Sequence, residues 1–268
     1  MPHVIPLTAA PHGFGRTSRR DTWWTTPLVV FIVFASFVVY GTWAAFQNAH
    51  YESGPYLSPF YSPLLWGDST HAWFGLRPSW WPVALPFSTA LLILPFPGLF
   101  RLSCYYYRGA YYKAFWADPP NCAVGEPRTS YRGENSFPLI LQNIHRYTFY
   151  IALIFLVILS YDVWLALWFT NPDTNQKEFG IGLGTIVLLV NVILLTSYTL
   201  GCHSGRHLFG GRKDEISKSA AASACYRCTT SLNTRHMQFA WLSLFAVAFA
   251  DIYVRLCSMG IWTDWRIV

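Results

Sequence analysis

Seven thiol and imidazole side chains, Cys104, Cys122, His145, Cys202, His203, His207 and His236, fall at the ends of hydrophobic runs rather than inside them. Thiolate and imidazole donors together suit zinc, copper or an iron–sulfur cluster, and inward-facing histidines on neighbouring helices also suit haem. The densest stretch is GCHSGRH, 201–207. On a helix, His203 and His207 stand at i and i+4 on one face, the spacing at which two imidazoles reach one metal ion. NIHRY at 143–147 sets His145 at the start of one apolar run, and RHM at 235–237 does the same for His236. A lone interfacial histidine is more often a satisfied polar residue than a ligand, so these two carry weight only together with the others. CYRC at 225–228 is a CxxC in a Ser- and Ala-rich stretch that reads as a loop. With no second CxxC it is at most half a zinc site.

Two Cys and two His also make the ligand set of a Rieske-type [2Fe–2S] centre, in which His replaces Cys on one iron. The Cys-x-His and Cys-x-x-His pair of soluble Rieske domains is absent, since Cys202 and His203 are adjacent. Any such cluster must be drawn from several helices. Between Cys104 and Cys122 runs a ladder of phenols and cations: Tyr105, Tyr106, Tyr107, Arg108, Tyr111, Tyr112 and Lys113. Its plain reading is an interfacial aromatic belt with snorkelling cations. Its functional reading is a platform for a partner subunit or a quinone head group, whose carbonyls need a few donors beside an apolar slot. Tyr106, Arg108, Tyr112, His145, Arg146 and His236 are the candidate quinone-binding residues.

The elements that position these groups are membrane helices. Of 268 residues, 53% are hydrophobic and only 12% charged, with mean hydropathy +0.28, against about 25% charged in a soluble domain. About 20 helical residues cross the roughly 30 Å hydrocarbon layer. Five runs meet that length, near 27–46, 81–100, 147–169, 181–201 and 237–257, the second interrupted by Pro82, Pro86, Pro95 and Pro97. The expected fold is therefore an all-α integral membrane bundle of five transmembrane helices over 27–257. No cleavable signal precedes it. Segments 1–26, 101–146 and 202–236 carry 3, 6 and 6 Lys and Arg, whereas 47–80, 171–180 and 258–268 carry 1 each. The positive-inside rule then places the N-terminal tail 1–26 and the segments 101–146 and 202–236 in the cytoplasm, with the C-terminal tail 258–268 outside. Net charge +6 follows from this topology, with scattered cations rather than a basic patch, so no nucleic acid is expected. The cytoplasm is reducing, which disfavours structural disulfides among its cysteines. Asp251 and Arg255, at i and i+4 deep in the fifth run, read as an ion pair near the outer interface. The external loop 47–80, rich in Trp and Tyr, reads as a cap on the bundle.

CYYYRGAYYKAFW at 104–116, NCAVGE at 121–126, LQNIHRY at 141–147, GCHSGRHLFGG at 201–211 and LNTRHMQFAW at 232–241 resemble the membrane-anchor subunit of actinobacterial succinate dehydrogenase, in the class without haem. The resemblance covers roughly residues 80–260, and CYRC has no counterpart in it. It implies a plasma-membrane subunit of respiratory complex II with two partners, a flavoprotein that oxidises succinate and an iron–sulfur protein that relays electrons. It implies a Rieske-type [2Fe–2S] cluster in this chain and a quinone, menaquinone by expectation, as acceptor. The matching positions are Cys104, Cys122, Cys202, His145, His203, His207 and His236. The ligand set it favours is Cys104 and Cys122 on one iron with His203 and His207 on the other; Cys202, His236 and then His145 are the substitutes. No activity toward succinate is expected of this chain alone. Two rivals stay open: a haem b anchor held by two of the four histidines, and a non-redox membrane transporter or scaffold.

Overall fold

In the computed structural model, residues 20–82, 86–115, 137, 139–211 and 215–268 are described. Nine α-helices occur among them: α1 Thr25–Gln47, α2 Thr89–Ile93, α3 Pro95–Ser103, α4 Tyr105–Phe115, α5 His145–Leu165, α6 Leu183–Leu200, α7 His203–Gly210, α8 Ala220–Thr234 and α9 His236–Ser258. Four of these, α1, α5, α6 and α9, are long and apolar enough to cross a membrane. The run expected at 81–100 instead holds the short helices α2 and α3, which together form an apolar stretch over Thr89–Ser103. Proline supplies the reason. It lacks an amide N–H and clashes with the preceding turn, so it is favoured at helix starts. Pro95 opens α3 after the break at Leu94.

The chain divides into two compact units, Met1–Val39 with Arg101–Ile144, and Tyr40–Phe100 with His145–Val268. In the first, Phe31 packs edge-on against Phe115 at 4.9 Å and Phe34 against Tyr107 at 5.2 Å.

The second unit is built on α5, α6 and α9, with α6 lying along both of the others. Small side chains are buried on α6 and α9, including Gly184, Ala240, Ser243 and Ala250. Small residues let membrane helices approach closely where no hydrophobic effect drives them together. Tyr56, Ala166, Leu188, Ala250 and Val254 form a core cluster near one end.

That end is closed by the segment 48–66, part of the loop 47–80 expected to cap the bundle. A hairpin of β1 (Glu52–Ser53) and β2 (Tyr56–Leu57) leads into a 3-10 turn at Pro59–Tyr61. The cap is tied down by carboxylates. Asp251 accepts from Tyr40 at 2.5 Å and from Ser58, and pairs with Arg255 at 3.4 Å, as the i, i+4 spacing predicts. Arg255 also donates to the Ala49 carbonyl at 2.9 Å. Asp162 accepts from Ser62. Asp264 accepts from Tyr56 at 2.7 Å, Tyr253 at 2.6 Å and the Gly184 amide at 2.8 Å. Buried polar groups are stable only when hydrogen-bonded, and each of these carboxylates is; Asp251 is also ion-paired.

Two local expectations change. The third apolar run ends early, because β3 (Trp168–Thr170) and β4 (Lys177–Phe179) form a hairpin around Asn171–Gln176. The Asn171 side chain accepts from the Asp173 amide at 2.9 Å, the local turn chemistry expected of Asn. CYRC lies in a helix, α8, not in a loop. Ala is the strongest helix former, and Ser219 caps the start by accepting from the Ala222 amide at 3.3 Å.

Candidate cofactor site

The histidines gather at the end of the α5–α6–α9 unit opposite the cap. His145 begins α5 and His236 begins α9, antiparallel to α6, which ends at Leu200. Their rings are joined through two aromatic residues. His145 stacks on Phe100 at 4.7 Å with 7° between the planes, and His236 stacks on Tyr198 at 5.1 Å and 11°. Phe100 meets Tyr198 edge-on at 5.6 Å, so four rings form one continuous set. His145 is held further by a hydrogen bond to the Phe100 carbonyl, and both His236 and His203 lie within electrostatic reach of it. Phe100 and Tyr198 carry no hint of this role in sequence, since each is one aromatic among many in an apolar run.

GCHSGRH folds as expected into a helical turn. Cys202 is buried and caps α7, its Sγ accepting from the Gly205 amide at 3.3 Å. His203 and His207 follow on one face of α7, His203 exposed and His207 half-buried. The His207 ring lies over Gly211, where an added Cβ would come within 2.4 Å of it. Arg206 donates to the Tyr226 hydroxyl at 2.9 Å, and Asn233 donates to the Gly201 carbonyl at 2.7 Å, which fastens α7 to α8.

Cys104 belongs to the other unit. It is buried at the single non-helical residue between α3 and α4, so it ends one helix as the sequence suggests. Beside it, Tyr107 is buried under the Arg101 guanidinium, which donates to its hydroxyl at 2.7 Å. Burial pushes the Tyr107 phenol up to about 12, although Arg101 and its hydrogen bond act the other way. Tyr107 therefore acts at neutral pH as a fixed neutral group. Tyr106 is half-buried against Tyr107 at 5.6 Å, and Arg146 is exposed. Cys122 and the side chains of Arg108, Tyr111 and Tyr112 lie outside the described residues.

The donors fit a mixed thiolate and imidazole centre by type. By geometry, no three of His, Cys, Asp and Glu among the described residues lie close enough to hold a metal ion. What the structure brings together is His145 and His236 on the stacked Phe100–Tyr198 pair, with Cys202, His203 and His207 on α7 at the same end of the bundle.

The histidines and Cys202 lie at the end of an apolar helix bundle, not at its middle, where a transporter's substrate site is expected. The comparison with known proteins is more specific. Residues 25–260 match the family described as actinobacterial succinate dehydrogenase subunit SdhC, and the chain belongs to that family. It is similar to a chain of the Mycobacterium smegmatis Sdh1 complex in the apo form, at 42% identity and TM-score 0.81, covering 97% of this chain and 96% of that one. No curated protein matches it. The protein is thus a multi-pass membrane-anchor subunit of a plasma-membrane succinate dehydrogenase.

Proposed function

We propose that this subunit carries electrons from a soluble iron–sulfur partner, itself fed by a succinate-oxidising flavoprotein, through a Rieske-type [2Fe–2S] cluster to a membrane quinone. The observation that carries the reading is that His145 and His236 lie at the end of the bundle where α7 also brings Cys202, His203 and His207, in a succinate dehydrogenase anchor. The proposed ligands are Cys104 and Cys122 with His203 and His207, and Cys202 and His236 are the first substitutes. Bound there, the cluster would supply a one-electron relay of raised potential. The chain's own residues then have separate tasks. The His207 ring is held in place over Gly211. Tyr106, Arg108, Tyr112, His145, Arg146 and His236 would offer donors to the quinone carbonyls, and the stacked Phe100 and Tyr198 rings keep that surface apolar.

We also place the N-terminus and the histidine end in the cytoplasm, on the charge asymmetry of the loops. The apolar stretch Thr89–Ser103 is read as the core of a fifth crossing.

An optical and low-temperature EPR spectrum of the dithionite-reduced, purified complex tests this. A rhombic signal of low average g, lost in the His203→Ala/His207→Ala variant, is the expected result. Survival of the signal in that variant moves the ligands to Cys202 and His236. Sharp reduced haem bands would replace the reading with a di-histidine haem b anchor.

A further inference from the structure

Cys225 and Cys228 take no part in the site above, yet α8 displays them in an ordered way. Tyr226, between them, faces inward: its hydroxyl accepts from Arg206 at 2.9 Å, its ring lies under that guanidinium at 5.4 Å, and it packs on Gly210. Thr229, one residue after the motif, is 2% exposed. With that face buried, both thiols of the pair are exposed, three residues apart and so one helical turn from each other. Arg227 is drawn back along the helix to Ser223 at 3.0 Å and leaves the thiols uncovered.

The helix decides what this pair can do. Cβ atoms at i and i+3 stand about 5–6 Å apart, whereas a disulfide needs about 3.5–4.5 Å. An intact α8 therefore resists oxidation of the pair. An S–metal–S bridge is longer: with zinc–sulfur bonds of about 2.3 Å in tetrahedral geometry, its sulfurs sit well beyond bonding distance of each other. That bridge fits the helical spacing without unwinding α8. We propose that Cys225 and Cys228 form a two-thiolate chelate for a soft divalent cation of the zinc class, separate from the electron-transfer centre. Two thiols and one Zn2+ give a bis-thiolate complex and release two protons, with the remaining coordination positions open to water.

Zinc and iron content per flavin, measured by mass spectrometry on the purified complex after dialysis against micromolar free Zn2+, tests this. The expected result is one zinc per copy of this chain, lost in Cys225→Ser and in Cys228→Ser, with iron and flavin unchanged. In the double variant Ala221→Cys/Cys228→Ser, a thiol on the exposed Ala221 position recreates a pair with Cys225 one turn away, and zinc should return. That recovery separates chelation from a general loss of structure. Absence of zinc uptake, uptake that both serine variants keep, or no recovery in the shifted pair would overturn the proposal. So would a fall of iron together with zinc, which would assign these thiols to the iron centre instead.

Discussion

The two ends of the α5–α6–α9 unit are built from opposite chemistry. At the cap end three carboxylates, the buried Asp162 and Asp251 and the half-buried Asp264, bind the loop segment and the C-terminal segment to the helices by short hydrogen bonds. At the histidine end the fastening is done by stacked rings and a thiol cap, and the imidazoles of α7 are left partly open. Buried charged networks fix one geometry, because any displaced partner leaves an uncompensated charge. Stacked rings tolerate small shifts. One end holds the bundle together, and the other keeps its functional groups usable.

Substitutions at the two ends should therefore separate stability from electron transfer. The largest stability loss is expected for Asp251→Ala, which strands Arg255 in a site where only 4% of it is exposed. Breaking such a pair costs about 3–5 kcal/mol, read as a fall in the melting temperature of the purified complex. Cofactor content per assembled complex should be unchanged. Gly184→Ala comes next. An added Cβ would lie 2.6 Å from the Tyr56 ring, and overpacking of this kind costs about 1–3 kcal/mol. His236→Phe keeps the stack on Tyr198, so its stability cost stays near or below about 1 kcal/mol. Its effect belongs to function: succinate:quinone reductase activity should fall at least about tenfold, equivalent to about 1.4 kcal/mol in the barrier, while succinate oxidation with a soluble acceptor is retained. Equal losses in the two assays would remove His236 from the quinone side.

The smallest effect is a pH dependence of the cap. Burial lowers the pKa of His71, with Glu52 opposing it. The folded state thus favours neutral imidazole, and its contribution is complete above the unfolded value of about 6.5. It is lost as pH falls from there toward the depressed folded value. Thermal unfolding at pH 7.5 and 5.5 should show a small acid destabilisation that His71→Gln removes.

Much of this division is legible in the sequence wherever one helical period carries it. Asp251 and Arg255 form the ion pair that their i, i+4 spacing implies, and His203 and His207 fall on one helix, α7. Four of the five long apolar runs are equally plain, with ends that shift by a few residues, whereas the proline-rich run 81–100 holds two short helices. What the sequence hides is pairing between helices. Nothing local links Phe100 to His145, or Tyr198 to His236, and Asp264 finds Tyr56 and Gly184 only once the fold exists. Asp162 was more accessible, since a carboxylate inside an apolar run is costly and needs a partner. The CYRC stretch misleads for another reason: serine around it suggests a loop, but its alanines and the Ser219 cap favour a helix.

The division of labour is tested most directly by measuring EPR signal per flavin and melting temperature together in Asp251→Asn and in His203→Ala/His207→Ala. The account predicts a lowered melting temperature with full signal in the first, and an unchanged melting temperature with the [2Fe–2S] signal gone in the second. A signal that survives in the histidine variant, or that disappears in the aspartate variant while the complex stays assembled, would contradict it.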